Sequence, residues 1–308
     1  MFLLTKQYVY MDTIFLETFV AVLDTGSFAE AARILGLTPP AVAQRIRALE
    51  KEIGDSLVLR IGRSVRPTSS GLAILDKAKT LIREARDLRA IAGSKGVHGV
   101  VELRLGATST SQTGLLPGAI ANIKRALPQI ELYVRPGSSS ELYPQVVSGD
   151  LDAAIIIQPQ FAVLKSCGWV TLRKEPLILI APSSLHVTDP RLAILNEPFI
   201  RYDRKHWGGQ IVDRYLRQTH LEVKTCFEMD ALDAIAALVD RGLGVAIVPD
   251  WAPPWPESLS IQKIPLPDST ETRNVGVLWE RSSPRLAVVR AFLNACKQSV
   301  KATRETPV

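Results

Sequence analysis

Cysteine is scarce: the 308 residues contain only Cys167, Cys226 and Cys296. Their odd number and wide spacing exclude a disulfide framework, and without a CxxC pair or a Cys/His cluster no zinc site is indicated. Histidine is equally thin, with His98, His186, His206 and His220 scattered along the chain. There is no GxSxG, HExxH, Walker or GxGxxG motif, so nothing nominates catalytic residues, a metal or a cofactor. No stretch reaches the ~18 apolar residues of a membrane span. The opening MFLLTKQYVY has neither the basic start nor the apolar core of an export signal, so a cytoplasmic setting with no membrane partner is expected. Low-complexity tracts are missing too. With 46% apolar and 22% charged residues, the chain reads as folded.

The length suits two or three compact units, a small module joined to a larger one. The net charge of +6 is compatible with a polyanionic partner without demanding one. Its distribution says more. Between Arg33 and Arg66 lie seven basic residues (Arg33, Arg45, Arg47, Lys51, Arg60, Arg63, Arg66) against Glu50, Glu52 and Asp55, which form an acidic knot between two basic stretches.

Within Asp12 to Leu23 the residues Ile14, Leu16, Phe19, Val20 and Leu23 recur at helical intervals and stop at Asp24-Thr25-Gly26. Ser27 and Glu30 read as a reciprocal capping box for a helix through Leu35, which Gly36 ends. Thr38 caps a third helix whose first turn tolerates Pro39 and Pro40. On it Val42, Ile46, Leu49 and Ile53 share one face, while Pro40, Ala43, Gln44 and Arg47 are expected on the other. Leu57–Arg60 and Ser64–Pro67 follow as a short hairpin through Ile61-Gly62-Arg63, a wing with arginines at its tip and sides. From Gly71 to about Ala92 the residues Leu72, Leu75, Ala78, Leu81, Ile82, Ala85 and Leu88 make a long helical stripe suited to pairing with a copy of itself. Residues 93–99 have the composition of a flexible hinge.

Beyond it, strand-like runs (Val100–Leu105, Ile130–Val134, Ala153–Ile157, Leu177–Ile180, Val245–Val248) alternate with helical ones (Leu115–Leu127, Glu141–Ser148, Gly209–Arg217, Leu232–Arg241). This predicts an α/β architecture with largely parallel sheets.

The order Gly26-Ser27-Phe28, Ala31-Ala32, Leu37-Thr38, Ala41-Val42, Ile46-Arg47, Leu49-Glu50, Gly54, Leu57, Arg60, Thr68, Gly71 resembles LysR-type transcriptional regulators. Leu115-Leu116-Pro117, Gly149-Asp150-Leu151-Asp152-Ala153 and Gly242 to Pro249 resemble that family's effector-binding region. The resemblance runs from about Met11 to Ala295 and implies a multi-domain chain. Its parts are an all-α winged helix-turn-helix domain (11–69), a linker helix for dimerisation (70–92), the hinge (93–99) and a periplasmic-binding-protein-like α/β effector domain (100–300). The two lobes are placed at 100–157 with 250–300, and at 158–249, with crossings near Ile157-Gln158 and Val248-Pro249. It also implies a natural start near Met11-Asp12, a homodimer or homotetramer, promoter DNA as partner and a small-molecule effector between the lobes.

The expected DNA-binding residues are Thr38, Pro40, Ala43, Gln44 and Arg47 on the third helix, with Arg60, Arg63 and Arg66 on the wing. The family commonly has Gln where this chain has Pro39, and Ser or Thr where it has Ala43. Readout therefore falls on Gln44 and Arg47, with Pro40 and Ala43 free for a thymine methyl. For the effector, an organic anion, Thr108, Ser109 and Thr110 lie at a strand-to-helix turn. Arg201 or Arg204 is expected to clamp its carboxylate, with Tyr202 and Trp207 beside them. A cysteine-based redox sensor centred on Cys226 and an enzyme are the rival classes.

Overall fold

The computed structural model describes residues 12–62, 64–93, 101–256, 258–267 and 269–305. The expectations about residues 1–11, most of the hinge and Arg63 lie outside the described residues. The chain divides into two compact units, Met1–Ala92 and Gly93–Val308. Among the described residues no helix is long and apolar enough to cross a membrane, and no His, Cys, Asp and Glu side chains gather as a metal site.

The first unit runs α1 (Thr13–Thr25), α2 (Phe28–Leu35), α3 (Pro39–Ile53), β1 (Val58–Ile61), β2 (Ser64–Pro67) and α4 (Ser69–Gly93). Helical spacing puts Leu16, Phe19 and Val22 of α1 against Ala31 and Ala32 of α2 and Val42, Ile46 and Leu49 of α3, all buried. Leu57 and Val65 of the wing close this core. Gly36, at φ +64°, ends α2 in left-handed geometry, leaving two residues before α3. The wing is antiparallel with Ile61 opposite Ser64, and the Val65 amide donates to the Gly26 carbonyl at 2.8 Å, docking it on the α1–α2 turn.

Two local expectations need correction. Ser27 does accept from the Glu30 amide, but the Glu30 carboxylate turns to Arg33, whose Nε lies 3.0 Å away. Half of the capping box is replaced by an ion pair, which also lowers the Glu30 pKa. The acidic knot is structural: Glu50 accepts from the Leu57 amide at 2.8 Å and Asp55 from the Ser56 amide at 2.8 Å. The α4 stripe is divided. Ala78 packs on the core with Ile74, Leu75 and Ile82 beside it, whereas Leu72, Leu81 and Leu88 are exposed.

The second unit begins with β3 (Val101–Ala107), α5 (Ser109–Gly114), α6 (Leu116–Ala126), β4 (Ile130–Pro136), α7 (Ser139–Val147) and β5 (Ala153–Ile157). It continues with β6 (Cys167–Pro182), α8 (Pro190–Asn196), β7 (Phe199–Tyr202), α9 (Trp207–Gln218), β8 (Thr225–Met229) and α10 (Leu232–Asp240). The remainder is β9 (Ala246–Pro249), β10 (Ile261–Pro265), β11 (Thr272–Glu280) and α11 (Leu286–Glu305). β3 pairs in parallel with β4 and β5, and β7 with β8, but β11 is antiparallel to β5 and β6, and β6 to β9 and β10. The sheets are therefore mixed.

The long strand β6 serves two sheets. Its first part, through Pro176, pairs with β11. From Leu177 onward it pairs with β9, and from Ile178 with β10. The outward crossing thus falls inside β6 instead of at Ile157-Gln158. The return falls after β10, since Ile261–Pro265 pairs with the second half of β6; residues 250–265 do not all belong with the first lobe as expected. The expectation failed because β6 reads as apolar only from Leu177, while its first half carries Arg173, Lys174 and Glu175. The first-lobe core packs β3, β5 and β11 under α6 and α11, with Phe292 fully buried.

Candidate DNA-contacting face and effector cleft

On α3, Pro40, Gln44 and Arg47 are exposed at spacing i, i+4, i+7, and Lys51 continues the stripe by a turn. Thr38 starts the helix, its hydroxyl accepting from the Ala41 amide at 3.4 Å. Ala43 does not join this face. It is only 9% exposed, because at about 100° per residue it lies a quarter-turn from Val42 and sinks to the edge of the packed side. Lys51 was missed although the same periodicity carries it. On the wing Arg66 is exposed, and Arg60 lays its guanidinium over the Phe28 ring at 4.2 Å, anchoring its stem while the residue stays exposed. What remains is a projecting rod with an amide and two cations on one side.

In the second unit a cavity of about 650 Å³ opens between the lobes. The β3–α5 turn contributes Thr108, Ser109 and Thr110, and the start of α7 contributes Ser138, Ser140 and Glu141. From the other side come Tyr202 at the end of β7, His206 and Trp207 at the start of α9, and Asp230 just before α10. Five of the seven expected effector residues therefore meet around one space. Thr108 is nearly buried, its hydroxyl engaged with Ser111 at 2.8 Å, whereas Ser109 is open to the cavity.

Arg201 and Arg204 do not line it. Arg201 donates to Asp213 and to the Thr225 hydroxyl, each at 3.0 Å, and Arg204 holds Glu228 bidentately at 2.9 and 3.0 Å. Hydrogen bonding from Arg204 holds the Glu228 carboxyl down at about 2. The expected clamp is thus replaced by two pairs within the second lobe.

The cavity's buried cation is Arg273 of β11, only 2% exposed, which the sequence reading missed. Its Nε donates to Glu175 of β6 at 2.6 Å and its Nη2 to the Thr110 hydroxyl at 3.2 Å. The other Glu175 oxygen accepts from the Ala252 amide at 3.0 Å. Burial pushes the Tyr202 phenol pKa up, and the charge of Arg273 opposes that.

The helix starts around this space differ. α7 is closed by a full capping box between Ser138 and Glu141, and hydrogen bonds from Ser138 lower the Glu141 pKa. Neither α9 nor α10 has a side-chain cap, so their first-turn amides and positive dipole ends are left for solvent or ligand. Gly208 lets the start of α9 pack closely on Tyr202, since a Cβ there would stand 2.5 Å from the ring. Trp207 is packed edge-on between Tyr143 and Phe161, with centroids 6.0 and 5.6 Å away. It forms an apolar wall.

The family model described as "LysR substrate binding domain" matches residues 98–301, and "Bacterial regulatory helix-turn-helix protein, lysR family" matches residues 15–72. The chain belongs to the LysR family, and is a DNA-binding transcription regulator with an effector-binding domain. Among curated relatives, the DNA-binding transcriptional dual regulator OxyR of Escherichia coli is 25% identical, covering 87% of this chain and 89% of its own length. The nitrogen assimilation regulatory protein nac of Klebsiella aerogenes is 24% identical, covering 77% of this chain and 78% of its own. A full-length OxyR variant from Pseudomonas aeruginosa superposes with a TM-score of 0.68 at 24% identity, covering 97% and 99% of the two chains. CbnR in complex with its target DNA gives 0.66 at 19%, covering 94% and 100%.

Proposed function

We propose that this regulator reads promoter DNA with Gln44 and Arg47, steadies itself on phosphate through Thr38, Lys51, Arg60 and Arg66, and responds to a small organic anion held between its lobes. One observation carries the effector reading. A 650 Å³ cavity gathers hydroxyls, the uncapped α9 and α10 starts and a buried arginine, a set of donors that complements negative charge. On the DNA side, Gln suits adenine and Arg suits guanine in the major groove. Exposed Leu72, Leu81 and Leu88 on α4 support pairing of two copies, and the reading places the protein in the cytoplasm with no catalytic step.

Two of the three thiols are poorly placed for oxidation, and the third, Cys226, is exposed. Burial pushes Cys296 up to about 12 and raises Cys167, so neither supplies a ready thiolate. The OxyR-type relatives include proteins named hydrogen peroxide-inducible genes activators. A melting-temperature screen tests the reading: organic anions raise the melting point, and stabilisation confined to cations or neutral sugars contradicts it. Replacing Cys226 by Ser should leave that response intact.

A further inference from the structure

The segment from Gln158 to Ser166 leaves the first lobe at the end of β5 and returns to it at the start of β6, and both of its ends are tied there. The Gln158 amide donates to the Asn274 carbonyl at 2.8 Å near the start of β11, and the Arg281 amide donates to the Ser166 carbonyl at 2.8 Å just past its end. Between these ties the segment lies against α9 of the second lobe. Phe161 meets Trp207 edge-on with centroids 5.6 Å apart, and Gln160 accepts from Arg214. Trp207 and Arg214 stand seven residues apart, two turns along one face of α9. The same two side chains also reach past the segment. Trp207 packs on Tyr143 of α7, and Arg214 pairs at 3.2 Å with Glu271 at the entry to β11. Tyr143 braces the segment in turn, with its ring 5.3 Å from Phe161 and its hydroxyl accepting from the Leu164 amide at 3.2 Å.

Residues 158–166 form no helix or strand, so a few side-chain contacts, not a hydrogen-bond ladder, hold them on α9. Such contacts part readily: Phe161 is 53% exposed, and the Arg214–Glu271 pair is partly open to solvent. Trp207 links them to the cavity, which it lines. We propose that residues 158–166 are a strap, anchored at both ends on the first lobe, whose grip on Trp207 and Arg214 sets how far the lobes stand apart. As a control on access to the cavity it rests on the reading of the cleft as the effector site. As a fastening it does not.

The test reads the distance between spin labels on Asn294→Cys of α11 and Leu192→Cys of α8, both exposed positions, in the full chain. Cys226→Ser removes the exposed native thiol, and excess unlabelled chain confines each labelled pair to one molecule. No effector is added, so this result and that of the melting-temperature screen stand or fall separately. The wild type gives one distance peak. Phe161→Ala/Arg214→Ala raises the share of longer distances about tenfold over the minor fraction that an intact strap leaves. Arg214→Glu does the same, and the swap Arg214→Glu/Glu271→Arg restores the wild-type peak, which a general loss of stability does not explain. Arg217→Ala, on the same helix but paired with Asp213 one turn away, changes nothing. A wild-type distribution in a cooperatively melting Phe161→Ala/Arg214→Ala protein overturns the strap. So does a swap that stays open, or an Arg217→Ala that opens as far. Should the alanine pair fail to fold, Arg214→Glu and its swap decide alone.

Discussion

The recognition helix and the cleft offer cations to their ligands in opposite ways. Arg47 and Lys51 stand in solvent on a convex rod, whereas Arg273 is 2% exposed at a concave floor and already paired. Exposed cations suit a partner with dense regular charge, where many weak, salt-sensitive contacts add up and each is individually dispensable. A buried and aimed cation suits a single small ligand. It is little screened by salt, and its removal strands its partner.

That contrast can be broken most forcefully at Arg273. Replacing it by Met takes from buried Glu175 its 2.6 Å partner and leaves Arg173, 3.6 Å away, as its remaining cation, so urea unfolding should show a loss of up to about 3–5 kcal/mol, part of it recovered when Glu175 is also made Met. A single variant as stable as wild type would erase the distinction. Next in size, Gln44→Ala and Arg47→Ala should each lose about 1–3 kcal/mol of discrimination at one base pair, read by competition among operator variants, with folding stability unchanged. Smaller again, Arg66→Ala should weaken binding to all sequences alike and reduce the slope of log affinity against log salt by about 1.

The smallest effects belong to Arg204, which should leave the cleft's ligand response unaltered when made Ala, because it is engaged with Glu228 outside the cavity. That pair sharpens the comparison through pH. The folded-state carboxyl sits at about 2, below its ordinary 4.5, so its contribution is fully present above about 4.5 and disappears as pH falls through about 2. The stability difference between wild type and Glu228→Gln should stay level from pH 7 to about 4.5 and shrink below that. Since both side chains are substantially exposed, added salt should shrink it as well.

Legibility followed sequence distance. The three helices, their caps and the wing are written in signals a few residues apart, and Ser27, Gly36 and Thr38 sit where those signals place them. Ala43 went wrong because a small residue at the border of a helix face is hidden or shown according to its neighbours, not its own chemistry. In the second unit the hydroxyl turn at Thr108–Thr110 stood out by its composition together with the family resemblance, and the Tyr202–Trp207 segment by its composition; both line the cavity. Arg201 and Arg204 looked like the clamp because their acceptors lie 12 and 24 residues onward. Arg273 meets Thr110 across 163 residues, and no local pattern distinguishes it from other strand arginines.

Pro176 stands at the changeover point of β6, opposite Thr272, with its carbonyl taken by the Asp250 amide at 2.8 Å. A proline has no amide hydrogen to give its neighbour, so the ribbon changes partners at a residue where no ladder donor is lost. The residue just before it grips the cavity arginine on one side and the Ala252 amide on the other, so the changeover between sheets and the floor of the cavity are built by adjacent residues.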